Sequence, residues 1–243
     1  MSADTPRVRM FAGPNGSGKT TVKNELPAQL FKNYINPDDF EQSLRSAGSM
    51  DLNPFGLTIS TQELREFFAA SELLRANDLD GVSDIIECRN GILTLNGAGI
   101  DSYFASVLSD FLRRKLLESS KSFTFETVMS APDKVDLLAK ARRRGYRTYL
   151  YFVATEDPAI NVERVKNRVA SGGHSVPEMK IVSRYHRSLE LLRGAIRNSD
   201  RAYFFDTSEE SSCYFAEITG GVEFDLKSPE IPEWFRSAVW DKP

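Results

Sequence analysis

The sequence has little cysteine and histidine and no long apolar run. Its 243 residues include only two cysteines, Cys88 and Cys213, and two histidines. Two distant cysteines form no disulfide framework and lack the close spacing of a metal site, which suits a reducing compartment. No run approaches the length that spans a membrane, and residues 1–6 lack the apolar core of a signal peptide. We therefore expect a cytoplasmic protein without a membrane segment.

A large excess of charge is also missing. The formal net charge is -3, with 41% hydrophobic and 27% charged residues. Nucleic acids and anionic membranes attract strongly basic proteins, so neither is expected as a general partner. The composition is that of an ordinary globular protein, and the length suffices for one large domain with a full core.

The strongest positive signal is a glycine-rich segment that follows a short apolar run. Residues 13–20 read Gly-Pro-Asn-Gly-Ser-Gly-Lys-Thr and fit the P-loop pattern G-x-x-x-x-G-K-[ST]. Residues 7–12 predict a strand before the loop, and a helix is predicted from Thr20. Glycines allow backbone N–H groups to turn inward around a polyphosphate. The pattern predicts that the chain binds a nucleoside triphosphate.

Two side chains of this segment carry expected roles in ATP chemistry. Lys19 is expected to reach the β- and γ-phosphates, and the Thr20 hydroxyl to bind Mg²⁺. Nucleotide binding is assigned to the whole segment and one following threonine: Gly13, Pro14, Asn15, Gly16, Ser17, Gly18, Lys19, Thr20 and Thr21.

Strands and helices alternate along most of the chain. Strands are predicted at residues 7–12, 33–36, 122–126, 146–154 and 202–206, with helices between them. This order predicts an α/β fold of the P-loop NTPase or kinase type, with a mainly parallel five-stranded sheet flanked by helices. Two apolar runs around Gly220-Gly221 predict a C-terminal hairpin.

Residues of about 50 to 100 interrupt this alternation and are interpreted as an insertion. Within them, Asn90-Gly91 predicts a β-hairpin turn, with a loop and one short strand as the alternative. The segment before it, residues 41–60, is predicted as a loop. We expect a single kinase domain over 1–243, with this insertion and a lid at about 158–180.

Acidic residues follow three predicted strands, at the sheet edge where ligands of parallel sheets bind. Glu126 is a candidate second Mg²⁺ ligand, with a helix cap or a turn as the alternative. Asp38 is a candidate base that accepts the proton of an acceptor hydroxyl, with a helix cap as the alternative. For Asp206, a helix-capping role is the favoured interpretation.

A basic cluster near residue 170 suggests a lid. Arg164 and Arg168 are four residues apart and share a helix face, next to the loop Gly172-Gly173-His174. Two arginines beside a glycine loop suit a lid that closes over a triphosphate, and a solvated basic face is the alternative. His174 is a candidate hydrogen-bond donor.

The sequence resembles the zeta-toxin family of P-loop kinases. The resemblance covers most of the chain outside residues 50–100 and rests on several ordered motifs, at residues 13–20, 35–39, 125–130, 141–152, 161–165, 172–177 and 201–206. It implies a kinase that depends on ATP and Mg²⁺. Characterised members phosphorylate the 3′-hydroxyl of UDP-N-acetylglucosamine, so a nucleotide sugar is the implied acceptor.

The resemblance also implies site residues. Asp38 matches the family's catalytic base, and Asp110 stands where the family has a substrate-contacting glutamate. Arg164 matches the first phosphate-clamping arginine of the lid, and either His174 or Arg168 supplies the second cation.

The acceptor side departs from the family pattern, since Val128 and Ser130 replace contacts that well-studied toxins make to the nucleotide sugar. Glu126 and Ser130 stay candidates for substrate binding. A neutralising antitoxin is expected as a separate chain. The alternatives are a kinase for a nucleic-acid end or a dinucleotide, and a non-catalytic ATP-binding switch that acts through a partner.

Overall fold

The computed structural model describes residues 5–95, 102–173 and 175–242. Its strands are β1 Arg7–Ala12, β2 Tyr34–Ile35, β3 Ser49–Asp51, β4 Ile86–Arg89, β5 Ile92–Leu95, β6 Phe123–Thr127, β7 Arg147–Ala154, β8 Arg201–Asp206, β9 Cys213–Thr219 and β10 Glu223–Leu226. Its α-helices are α1 Lys19–Glu25, α2 Pro37–Ala47, α3 Thr61–Ala69, α4 Glu72–Arg75, α5 Ser102–Glu118, α6 Asp133–Arg143, α7 Pro158–Ala170, α8 Glu178–Glu190, α9 Leu192–Arg197 and α10 Glu233–Phe235.

The chain divides into two compact units. The first contains residues 1–32 and 124–243, and the second contains residues 33–123. The expected insertion of about 50–100 lies inside the second unit. The expected extent of a single kinase domain stays a prediction.

The first unit is built on a sheet with the strand order β10-β9-β8-β7-β1-β6. Strands β1, β7 and β8 run parallel, whereas β8, β9 and β10 pair antiparallel. The mixed α/β fold with a mainly parallel core agrees with the sequence prediction. The C-terminal hairpin is also confirmed, and it extends the same sheet as β9 and β10.

One face of this sheet forms the main core of the first unit. Met10, Leu150, Ala202 and Ile218 lie in register across β1, β7, β8 and β9, and each is 0–1% exposed. Near the end of the chain, the rings of Trp234 and Phe235 in α10 pack against aromatic rings of β8 and β9 on this side. The other face is covered as well, because five consecutive residues of β1, from Val8 to Ala12, are buried.

The second unit combines helices with a small antiparallel sheet of order β3-β5-β4. Its centre is α5, which packs against α2, α3 and α4. Asn90 and Gly91, with φ of 52° and 77°, form the tight turn between β4 and β5, so the predicted hairpin is confirmed. The predicted loop at 41–60 is wrong, because α2 continues to Ala47 and ends at Gly48 in the left-handed conformation.

Glu63 links two helices of the second unit. Its carboxylate accepts hydrogen bonds from the backbone and hydroxyl of Ser60 in a capping box, and from the Lys115 ammonium at 2.7 Å. The hydrogen bond from Lys115, followed by that from the Ser60 backbone, lowers the pKa of Glu63 to about 2. This carboxylate therefore holds α3 to α5 in its ionised form.

In the described ranges, no helix has both the length and the apolar character required to cross a membrane.

Candidate nucleotide-binding site

The glycine-rich loop connects the carboxyl end of β1 to α1 and needs glycine for steric reasons. A Cβ at Gly13 would lie 2.0 Å from the carbonyl oxygen of Val153, and one at Gly16 would lie 2.5 Å from that of Asn161. Gly16 also has φ of 76°, a conformation that L-residues rarely adopt. The loop is therefore pressed against β7 and α7, and a side chain at either position would displace it.

Lys19 points its ammonium back into the loop. The side chain is 8% exposed, and Nζ donates hydrogen bonds to the carbonyl oxygens of Gly13 at 2.8 Å and Pro14 at 3.0 Å. The neighbouring Ser17 is fully buried, and its Oγ has no hydrogen-bond partner among the described residues. A positive charge and a free hydroxyl thus line a loop whose shape only glycine permits.

Two helices hold the tip of the loop through Asn15. The Asn161 amide of α7 donates to the Asn15 carbonyl oxygen at 2.7 Å, and Arg184 of α8 donates to Asn15 Oδ1 at 3.2 Å. Asn161 is buried and also accepts a hydrogen bond from the Thr155 hydroxyl. Arg184 places a guanidinium beside the loop. This contact was not predicted from the sequence, because nothing in the spacing of Arg184 connects it with residue 15.

Arg164 of α7 lies against the segment that follows β8. Its guanidinium donates to the carbonyl oxygens of Thr207 at 2.6 Å and Glu209 at 3.4 Å. The phosphate-clamping role expected of this arginine stays a prediction. Here the side chain anchors α7 to residues 207–209.

Thr207 connects the glycine-rich loop to the sheet, a role that was also not predicted from the sequence. Its hydroxyl donates to the carbonyl oxygen of Ser17 at 2.8 Å and also lies 3.2 Å from that of Ala154. The side chain is 6% exposed. A buried hydroxyl between two carbonyl groups fixes the position of the loop relative to β7.

Arg168, a further lid candidate, lies in the last turn of α7. Arg168 is exposed, and its carbonyl oxygen accepts the N–H groups of Ser171 at 3.2 Å and Gly173 at 2.9 Å. Gly172 has φ of 89° and turns the chain away from the helix. His174 lies outside the described residues, so its proposed part in the lid is neither supported nor opposed.

The candidate metal ligands Thr20 and Glu126 both belong to the first unit. Thr20 is exposed in the first turn of α1, as is Thr21, and Glu126 is half-buried near the end of β6, the neighbour of β1. The loop is tied to this strand, because Gly13 donates its N–H to the Thr127 carbonyl oxygen at 3.3 Å. A hydroxyl and a carboxylate are the oxygen ligands that suit Mg²⁺.

The chain after β6 passes through a constrained residue before it reaches Ser130. Met129 is 1% exposed and has φ of 54°, which is unfavourable for a residue with a side chain. Its N–H donates to the Thr127 hydroxyl at 3.0 Å. Ser130, a candidate substrate contact, is half-buried directly after this bend.

In the second unit, Asp38 lies in the first turn of α2 with an exposed side chain. Asn36, and not Asp38, caps the helix, because the Asn36 Oδ1 accepts a hydrogen bond from the N–H of Asp38 at 3.1 Å. Among the described residues, no group donates a hydrogen bond to the Asp38 carboxylate. Its neighbour Asp39 differs, because it accepts the Asn36 side-chain amide at 3.1 Å. Asp38 therefore keeps a carboxylate available for chemistry.

Asp110, also in the second unit, lies on α5 between two arginines. Its oxygens are 3.4 Å from the Arg113 guanidinium, which is buried, and 2.9 Å from that of Arg114. These ion pairs orient the carboxylate. Its expected contact with a substrate stays a prediction.

A groove of about 410 Å³ lies between α7 and α8. Acidic side chains dominate its charged rim, since Asp157, Glu163 and Glu178 outnumber the lone Lys166. A polyphosphate is repelled by such a rim, so the glycine-rich loop is the better candidate for a nucleotide site. In the described part of the chain, His, Cys, Asp and Glu form no group of three that could hold a metal ion by themselves.

Replacement of Thr207 by valine tests whether this residue supports the loop. Because the buried hydroxyl that donates to the Ser17 carbonyl oxygen is lost, the free energy of unfolding is expected to fall by about 1–3 kcal/mol, and the affinity for ATP is expected to fall with it. Denaturant unfolding and calorimetric titration with ATP measure the two effects. The matched control is Thr124→Val, which removes a buried hydroxyl bond of 2.8 Å to the Leu30 carbonyl oxygen. An equal loss of ATP affinity in both variants would contradict a specific role for Thr207.

Comparison with known proteins agrees with this architecture. A family model described as Zeta toxin matches residues 99–216, just under half of the chain. No curated protein matches the sequence. Among solved structures, the AvrRxo1-ORF1:-ORF2 complex with ATP is similar, with a TM-score of 0.56 and 17% identity over 92% of this chain and 61% of that one. The native form of that complex has a TM-score of 0.57 and 15% identity over the same shares.

A further similar structure belongs to the PezAT chromosomal toxin-antitoxin system of the human pathogen Streptococcus pneumoniae. Its TM-score is 0.51 and its identity 13%, over 100% of this chain and 81% of that one. The chain thus spans about three-fifths of the length of the AvrRxo1 structures and most of the PezAT structure. At these identities the solved structures show the fold alone, a mixed α/β fold with a mainly parallel sheet. Over residues 99–216 this chain is similar to the zeta-toxin family.

Proposed function

We propose that this protein is an ATP-dependent kinase that transfers the γ-phosphate to a hydroxyl group of a small molecule. The observation that carries the proposal is the glycine-rich loop with Lys19 buried inside it, held by hydrogen bonds to Gly13 and Pro14. The family model and the ATP-bound structural neighbour add support. A zeta-toxin relationship favours a nucleotide sugar such as UDP-N-acetylglucosamine as the acceptor.

ATP fits the donor groups of the loop. Backbone N–H groups between Gly13 and Lys19 are suited to phosphate oxygens, because the glycines leave room for close approach. The Lys19 ammonium stabilises negative charge that spreads over the transferred group. Thr20 and Glu126 would hold Mg²⁺, which when bound neutralises charge between the phosphates.

Asp38 is proposed as the base that accepts the proton of the acceptor hydroxyl. Two observations support this role: the Asp38 carboxylate is exposed, and Asn36 caps the helix in place of Asp38. A base of this kind needs a free oxygen within hydrogen-bonding reach of the hydroxyl. Asp110, Glu126 and Ser130 are proposed to contact the acceptor.

The proposed cations of the lid are Arg164, Arg168 and His174, and Arg184 joins them. Arg184 is favoured by its hydrogen bond to Asn15 at the tip of the loop, which puts a guanidinium next to the phosphate-binding backbone. Arginine suits this task because its planar group binds phosphate oxygens in pairs.

We further propose that a separate antitoxin chain neutralises the protein. Support comes from the PezAT neighbour, which belongs to a toxin-antitoxin system. The protein would then act as a toxin by consuming an essential metabolite, within the cytoplasm where such metabolites occur.

The test is a transfer assay with γ-labelled ATP and a defined panel of acceptors: UDP-N-acetylglucosamine, other nucleotide sugars, dinucleotides, oligonucleotide ends and a metabolite extract. Label is expected on a nucleotide sugar, with no transfer when Mg²⁺ is chelated. Transfer to an oligonucleotide end or a dinucleotide would support the proposed kinase activity and contradict the proposed acceptor. ATP binding without transfer to any acceptor would instead favour a switch that acts through a partner.

A further inference from the structure

The C-terminal edge of the sheet carries a cluster of exposed apolar side chains. Val222, Phe224, Leu226 and Trp240 are 75%, 44%, 40% and 44% exposed. The rings of Phe224 and Trp240 contact each other, with centroids 5.4 Å apart. These four make up half of the large apolar side chains exposed in the described ranges. A contiguous patch of this kind marks a contact surface rather than scattered exposure.

The patch continues the buried face of the sheet. Phe224 is in register with Ile218 of β9, which is in register with Ala202 of β8, and both of these are buried. Leu226 lies on the same face, two residues further along β10. The core side of the sheet therefore extends to β10, where it meets solvent.

The outer edge of β10 is free to pair. The strand stands at the end of the sheet order, and no strand in the described ranges pairs with its outer side. Such an edge presents backbone N–H and C=O groups to another strand. The opposite face of β10 carries charges at Glu223 and Asp225, followed by Lys227, which forms an ion pair with Asp225.

We propose that two copies of this chain associate by antiparallel pairing of their β10 edges, about a twofold axis at Asp225. In this register Glu223 lies opposite Lys227 of the second copy, and Phe224 lies opposite Leu226 of the second copy. Symmetry repeats both pairs, so the interface contains two ion pairs and two apolar pairs. Cross-strand pairs of these types stabilise antiparallel sheets.

The charges favour a second copy because β10 complements itself in this register. An axis at Phe224 instead would place Glu223 opposite Asp225 of the other copy, and like charges directly opposite are unfavourable. The axis at Asp225 leaves one unfavourable pair, between the two Asp225 side chains on the axis itself. A twofold contact of this kind is closed, so association ends at the dimer.

A charge-reversal series in the full chain tests this register by analytical ultracentrifugation. The wild-type protein is expected to show a concentration-dependent dimer. E223K and K227E should each raise the dimer dissociation constant about tenfold or more, because each places like charges opposite one another. The double variant E223K/K227E should return the dissociation constant to within about threefold of wild type, because the pair is restored with reversed polarity. D225N should tighten the dimer by relieving repulsion on the axis.

The matched control is E178K, which breaks an exposed ion pair of 2.9 Å with Lys166 away from β10. It should leave the dissociation constant unchanged. Circular dichroism checks that each variant is folded, which is expected since all the altered side chains are at the surface. The proposal is overturned if the wild-type protein stays monomeric at its highest soluble concentration. It is equally overturned if the double variant dimerises no better than the single ones. Neither result bears on the proposed kinase activity, which the transfer assay tests independently.

Discussion

Asparagine in place of Asp38 is expected to reduce phosphoryl transfer by about 10²- to 10⁴-fold, the contribution of a positioned general base. Asparagine keeps the size of the side chain and cannot accept the proton of the acceptor hydroxyl. The affinity for ATP is expected to stay the same, because the phosphates are bound by the glycine-rich loop. Single-turnover transfer to the acceptor found in the panel, together with calorimetric titration of ATP, separates the two effects.

Asp39→Asn is the matched control for this prediction. Both carboxylates lie in the first turn of α2, so both interact with the helix dipole and both variants should lose similar stability. Asp39 differs in that its carboxylate accepts a hydrogen bond from Asn36, whereas Asp38 accepts none from the described residues. Transfer should therefore remain near normal in Asp39→Asn. Near-normal turnover of Asp38→Asn would remove Asp38 from the mechanism.

Loss of the Lys19 ammonium is the second change with a large expected effect. Lys19→Ala should lower the rate of transfer by about 10²- to 10³-fold, as the removal of one preorganised charged donor does. The physical reason is its position, since the ammonium is buried within 3.0 Å of two loop carbonyl groups and needs little rearrangement to meet a phosphate. ATP affinity should fall as well, because the ground-state phosphates also carry negative charge.

Lys23→Ala provides the comparison on the same helix. Lys23 lies one turn beyond Lys19 in α1, in the last turn of the helix. If the lysine effect came only from the net charge of this region, the two variants would behave alike. A loss of transfer confined to Lys19→Ala supports direct contact with the phosphates, and an equal loss in both variants would contradict it. Lys19→Arg should not restore activity, because the larger guanidinium does not fit a position that is 8% exposed.

The fold was largely predictable because its signals are local. The glycine-rich pattern, the continuous apolar runs of β7 and β8, and the turn at Asn90-Gly91 each depend on residues close in sequence. The error at 41–60 shows the limit of such signals. Gly48 was interpreted as part of a loop, whereas it ends α2 as a C-cap and so marks a helix before it.

The site was predictable in part. The glycine-rich loop follows from its motif. For Asp38, the structure was needed to show that Asn36 is the residue that caps α2. Thr207, Asn161 and Arg184 were not predictable, because each acts on the loop through a contact over more than a hundred residues. A threonine after a strand or an arginine on an amphipathic helix has many ordinary roles, and spacing alone does not select one.

The sequence by itself determined that this chain has a glycine-rich loop of the P-loop pattern, a mainly parallel α/β core and a C-terminal hairpin, since patterns within a few residues specify each of them. Only the tertiary structure decided which side chains hold the loop. It also decided that Arg164 reaches residues 207–209 and that the hairpin forms the edge of the main sheet with an exposed apolar face. These outcomes depend on how distant segments pack, because burial and hydrogen bonding are settled by neighbours in space and not by neighbours in the chain.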